Sequence, residues 1–163
     1  GLDTDAIDRL ARAGPWKTAV DVEGALLREL EADYALCKPN APELEAATGR
    51  PVNDRESAVA AAQSLRESGF DCVVASLGED GAVLVTDDDV VHEPAIDCAV
   101  VDTVGAGDAL LSGVLAAWAA GADDTVALHT GVVAGTAAVS TAGTDVPPLP
   151  EAEETGVDPV SNS

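Results

Sequence analysis

The chain has 163 residues, of which 30 are Asp or Glu and 8 are Lys or Arg, for a formal charge of −22 at pH 7. That length suffices for one domain with a buried core, and that charge argues against a nucleic-acid partner, because duplex binding rests on cationic neutralisation of phosphates. The acid is spread along the chain instead of gathered in a tail, which favours adaptation to a salt-rich cytoplasm over an acidic interaction domain.

In chain order, a helix is expected over 6–13, closed by Gly14, then a strand over 18–22 and a helix over 24–30. A short strand over 34–37 enters Lys38-Pro39-Asn40, and a helix over 41–48 ends at Gly49. Asp54 caps a helix over 55–68, with Gly69 as its stop. The apolar segment 71–77 reads as a buried strand, and 82–86 with 90–92 as a hairpin around Asp87-Asp88-Asp89. Residues 99–101 are strand-like, and helices follow over 106–120 and 123–140, separated by Gly121. From Thr144 the chain turns Pro-rich and acidic, and 147–163 is expected to be a disordered tail. Alternation of strand and helix with short connections predicts an α/β fold with a mostly parallel sheet, in which ligands gather at the carboxyl ends of strands.

Asp102-Thr-Val-Gly-Ala-Gly-Asp108 carries the most chemical information. Gly105 and Gly107 let backbone amides approach an oxyanion, and the start of the following helix adds orphan donors and partial positive charge. Asp108 falls in the first helical turn, where an aspartate either complements the dipole or takes a proton from an attacking hydroxyl. The local pattern leaves both open. A dinucleotide fingerprint would need glycine at Leu110, and a P-loop would need Gly-Lys-Ser/Thr after its glycines; neither is present. Ser112 lies inside a helix and no histidine is suitably placed, so a nucleophilic triad is not supported.

Lys38-Pro-Asn-Ala-Pro-Glu43 reads first as a helix cap, with Asn40 and Glu43 at capping-box spacing. Lys38 tips the balance toward a site, since the chain keeps only Lys17 and Lys38 and a compact cation suits phosphates. Ser76-Leu-Gly-Glu-Asp-Gly81 is by itself a strand-to-hairpin turn.

Together these strings resemble the ribokinase-like (PfkB) carbohydrate kinases, most specifically through Asp102 to Asp108 and the small-residue helix after it. The resemblance runs over 1–146 and implies a ribokinase-like three-layer sandwich, of which this chain is the carboxy-terminal, ATP-side portion, without the amino-terminal half and the lid. It further implies Asp108 as general base, the Gly105-Ala106-Gly107 turn as anion hole, and Asn40 with Glu43 organising Mg²⁺. ATP would contact Lys38, Asn40, Ser76, Gly78, Gly81, Thr103 and, as a wall for adenine, Val132 and Thr136. A monovalent cation (K⁺) near the turn also follows from the resemblance. The Lys-Pro-Asn form is typical of the branch acting on sugar phosphates, which implies phosphorylation of fructose 1-phosphate to fructose 1,6-bisphosphate. Two alternatives stay open: a catalytically incomplete nucleotide-binding module, and a kinase of the same fold for a non-phosphorylated sugar or nucleoside.

Cys37, Cys72 and Cys98 lack metal-type spacing and their odd count argues against a disulfide framework, so all are expected as buried small hydrophobes. His92 and His129 are expected in solvated or satisfied roles. No secretory segment and no apolar run of membrane-spanning length is seen, which predicts a soluble cytoplasmic protein. The start at Gly1 and the lack of Met suggest a processed chain or a piece of a longer one, and the open strand edge of a partial sheet suggests a homodimer.

Overall fold

In the computed structural model, residues 3–99, 101 and 103–140 are described. Their order is α1 (Thr4–Ala11), β1 (Ala19–Val20), α2 (Gly24–Leu27), β2 (Leu36–Cys37), α3 (Ala41–Thr48), α4 (Arg55–Arg66), β3 (Val73–Ser76), β4 (Ala82–Val85), β5 (Val90–Glu93), α5 (Ala106–Ala119) and α6 (Asp124–Val139), with a 3-10 turn at Gly78–Asp80. The strands form one sheet in sequence order, β1 to β3 parallel and β4 and β5 added antiparallel to their neighbours. Only β4 therefore runs against the rest, and the expected mostly parallel sheet is present.

Alternation along the strands makes the layers. Cys37, Val73, Ala75, Val83 and Val85 join a core with Leu27, Leu44, Ala61, Ala62 and Leu65, while Leu36, Cys72, Val74, Ala82 and Leu84 join another with Leu110, Val114, Leu128 and Val132. The period of two sends neighbouring residues to opposite faces, so a sheet covered on both sides reads as unbroken apolar runs. The helices on the two faces complete the three-layer arrangement.

Caps set the helix ends. Asn40 Oδ1 accepts from Glu43 N at 2.9 Å, Pro42 sits in the first turn, and Gly49 closes α3 in the left-handed region at φ 68°. Asp54 accepts from Ser57 N at 2.8 Å and starts α4; these hydrogen bonds hold its carboxyl below the ordinary range. The α1 boundary shifts to Thr4 because Asp3 accepts from Ala6 N at 2.8 Å. Helices α2 and α4 end earlier than expected, at Arg28 and Glu67 as caps.

Four expectations need correction. The strand over 18–22 shortens to two residues, and from 34–37 only Leu36–Cys37 joins the ladder, with Tyr34 in an isolated bridge to Phe70. The strand-like 99–101 shows none at 99 or 101, and residue 100 lies outside the described residues; Val101 N donates instead to Val139 O of α6 at 2.8 Å. Cys98 is exposed and not buried, whereas Cys37 and Cys72 are buried as expected. The expected tail lies outside the described residues.

Candidate functional site

Parallel pairing brings the motifs to one end of the sheet. Lys38-Pro39-Asn40 follows β2 and Ser76 closes β3; Asn40 bridges Ser76, and Ser76 N donates to Pro39 O at 3.0 Å. The register Val20↔Cys37 sets Asp21 beside Lys38 past the strand ends. From there Lys38 reaches α5: its Nζ lies 2.8 Å from the point a Cβ on Gly107 would occupy. Segments 38–40, 76 and 105–107, separate in sequence, thus share one end of the fold.

The α5 start has the geometry of an anion cradle. Gly105 is its N-cap at φ 83°, a conformation that L side chains rarely adopt, with open space where a Cβ would stand. Ala109 N donates to Gly105 O at 2.9 Å and Ala106 N to Thr103 O at 3.4 Å, so Thr103 braces the turn through its main chain. The first-turn amides of a helix have no intrahelical acceptor, which leaves donors and dipole for an anion. Asp108 stands exposed in this first turn, its carbonyl accepting from Ser112 Oγ at 2.7 Å. Helix α6 presses on the same turn, for a Cβ on Gly135 would lie 3.2 Å from Ala106 O.

Lys38 is nearly buried and its ammonium pairs with Asp21 Oδ2 at 3.2 Å. Asn40 and Glu43 make the reciprocal capping box, Glu43 Oε2 accepting from Asn40 N at 2.9 Å. A carboxylate so used keeps its other oxygen, whereas Asn40 Oδ1 is already engaged by the Glu43 amide. Among the described residues no cluster of His, Cys, Asp or Glu is dense enough to cage a metal. Magnesium commonly keeps waters and takes its remaining ligands from phosphates, so a single carboxylate acting through water fits that habit.

The other expected nucleotide residues divide. Gly78 is exposed at φ 62° with open space around it, free to face a ligand. Gly81, at φ 85°, is pressed on the Glu93 carbonyl of β5, so the hairpin alone requires a glycine there. Val132 is a core side chain packed with Leu110 and Leu128, and Thr136, one turn on, is half-buried. His92 Nε2 contacts Asp80 O at 2.9 Å and His129 Nδ1 contacts Glu93 Oε1 at 2.8 Å, both satisfied as expected. Burial pushes the Cys72 thiol up to about 12 and raises Cys37 as well, which makes both inert packing groups.

Asp21 and Gly24 escaped the sequence reading. Asp21 was absorbed into an overlong strand; a carboxylate directly after a strand that pairs with the Lys38 strand is the signal that would have found it. Gly24 starts α2 against the Glu43 carbonyl, with no room for a Cβ.

A glycine-capped helix start, a buried lysine and a capped acidic turn lie together at the carboxyl ends of the parallel strands of an α/β protein. The chain belongs to the pfkB family of carbohydrate kinases, whose model matches residues 9–152. It is 56% identical over 149 residues to a 1-phosphofructokinase from Haloferax volcanii, covering 91% of this chain and 49% of that protein. A 1-phosphofructokinase from Haemophilus influenzae is 34% identical over 149 residues, with 91% and 48% covered. Among solved structures, phosphofructokinase-2 from Escherichia coli in complex with potassium superposes with a TM-score of 0.78 at 28% identity, over 90% of this chain and 49% of that one. The chain therefore spans about half the length of the curated relatives it matches.

Proposed function

We propose that residues 1–146 are the nucleotide side of a kinase that transfers the γ-phosphoryl of ATP to a hydroxyl of a sugar phosphate, with fructose 1-phosphate as acceptor and fructose 1,6-bisphosphate as product. The observation that carries this reading is the approach of Lys38 Nζ to Gly107, which brings two motifs distant in sequence together at one end of the sheet. The acceptor assignment rests on the two relatives named 1-phosphofructokinase.

Asp108 takes the proton of the attacking hydroxyl as its oxygen bonds to the γ-phosphorus; the bond from that phosphorus to the β–γ bridging oxygen breaks, and ADP leaves with that electron pair. The amides of Gly105, Ala106 and Gly107 would serve the charge that builds on the transferred group, Ala106 N by giving up its long 3.4 Å bond to Thr103 O, and Lys38 adds a cation beside them. Asn40, Ser76, Gly78 and Thr103 line the path of the nucleotide, and Thr136 stands toward its base. Glu43 would hold Mg²⁺ through water, and when bound the ion neutralises phosphate charge. Asn40 serves that arrangement by holding the cap that orients Glu43. A monovalent cation such as K⁺ beside the Gly105 turn belongs to the same reading.

The test is steady-state ADP release by the full-length protein with Mg·ATP and fructose 1-phosphate, fructose 6-phosphate or tagatose 6-phosphate. The reading predicts the highest kcat/KM with fructose 1-phosphate. ADP release with none of them overturns it, and a clear preference for another acceptor overturns the substrate assignment.

A further inference from the structure

The Asp21–Lys38 pair stands where sheet register and site chemistry meet. Parallel pairing of Val20 with Cys37 sets the two residues level just beyond the strand ends, and their side chains close to 3.2 Å. The Lys38 side chain is 8% exposed and that of Asp21 34%. A lysine stem is flexible and its ammonium strongly hydrated, so a nearly buried ammonium keeps one pose only when a partner fixes it. Here that pose is specific: Nζ lies against Gly107, where a Cβ would stand 2.8 Å away. Gly24, three residues past Asp21, is seated on the Glu43 carbonyl, so the segment after β1 touches the Lys38–Glu43 segment at both ends.

We propose that Asp21 is a positioning residue for phosphoryl transfer: its carboxylate holds the Lys38 ammonium over the Gly107 turn, so that the cation is in place before phosphates arrive. This rests on the kinase reading above. Without Asp21 the ammonium loses its anchor beside Gly107 and swings toward other carboxylates of an acidic chain. The consequence falls on turnover more than on affinity, because the carboxylate also repels the phosphates it helps to place, and removing it offsets part of the loss in binding.

The test uses the full-length protein with Asp21→Asn, Lys38→Ala, the double variant, Asp71→Asn and Asp108→Asn. Asp71 pairs with the exposed Lys17 at 3.8 Å and serves as the control. Asp21→Asn should lower kcat on the order of tenfold, within the range of couplings between contacting charges, while the dissociation constant for Mg·ATP changes less than about threefold. In the Lys38→Ala background the same change should lower neither kcat nor Mg·ATP affinity further, and Asp71→Asn should turn over at the wild-type rate. Asp21→Glu, which keeps the charge, should recover part of the rate. Wild-type turnover of Asp21→Asn, or equal losses with and without Lys38, would overturn the proposal. If the wild-type protein releases no ADP with Mg·ATP and any of the sugar phosphates, it is the kinase reading that has failed; if it turns over and Asp108→Asn loses that turnover while Asp21 and Lys38 do not couple, only the positioning role has.

Discussion

Lys38 and Lys17 are the two lysines of the chain, and their surroundings differ in each respect that bears on chemistry. Lys17 is a solvated surface residue whose pair with Asp71 spans 3.8 Å, the kind of contact that contributes little. Lys38 is nearly buried, paired, and set against the glycine turn. Lys38→Ala in the full-length protein should weaken Mg·ATP binding or turnover, and Lys17→Ala should do neither; equal effects in kinetic and calorimetric comparison would remove the phosphate role. Asp108 differs again: exposed on the first turn of α5, it makes no structural demand that asparagine would fail to meet. Asp108→Asn should leave nucleotide affinity nearly intact and lower kcat by on the order of 10²–10⁴, the usual worth of a positioned general base. Turnover within a few-fold of wild type would reduce Asp108 to a dipole-complementing residue.

Between elements, the strongest polar contact is one the sequence did not announce. Asp8 on α1 accepts from Tyr34 Oη at 2.6 Å, Ala32 N at 3.0 Å and Glu31 N at 3.0 Å, which ties α1 to the approach of β2. Burial pushes the Asp8 carboxyl up, but the Tyr34 hydroxyl and the Glu31 and Ala32 amides outweigh it, and its pKa falls below the ordinary 3.8. A lowered folded-state pKa means that the contribution is fully present above the ordinary value and is lost as the pH falls through the lower one. Asp8→Asn should therefore destabilise the fold by about 1–3 kcal/mol at neutral pH, through donors left unmatched, and by progressively less in melts carried from pH 7 toward pH 2. A constant difference across that range would contradict the ionic network. One aspartate among so many, at an unremarkable helical position, carries no local mark of this role. Helix α3 was legible to the residue because Asn40, Pro42, Glu43 and Gly49 state both its ends locally. The Gly105 turn was legible for the same reason. The segment 99–101 was not, since a strand needs a neighbour and that partner cannot be read from the strand itself. The burial of Val132 was not legible either, because helix periodicity does not say which stripe meets the sheet and which meets a ligand.

At the scale of the whole molecule, charge and layering decide behaviour. Thirty acidic residues against eight basic ones repel one another, and only at high ionic strength does screening shorten to atomic distances. Melting temperatures should climb steadily from about 0.1 M to about 3 M KCl; a flat series would remove the argument for adaptation to salt. Among the described residues no helix is long and apolar enough to cross a membrane. If these layers assemble one nucleotide-phosphate site from segments far apart in sequence, calorimetric titration of Mg·ATP into the 163-residue chain in molar KCl, beside its Lys38→Ala variant, will detect it. The account predicts weak, saturable binding that the variant loses. A chain that shows a folded α/β circular-dichroism spectrum yet takes up no Mg·ATP, or takes it up equally well without Lys38, would contradict it.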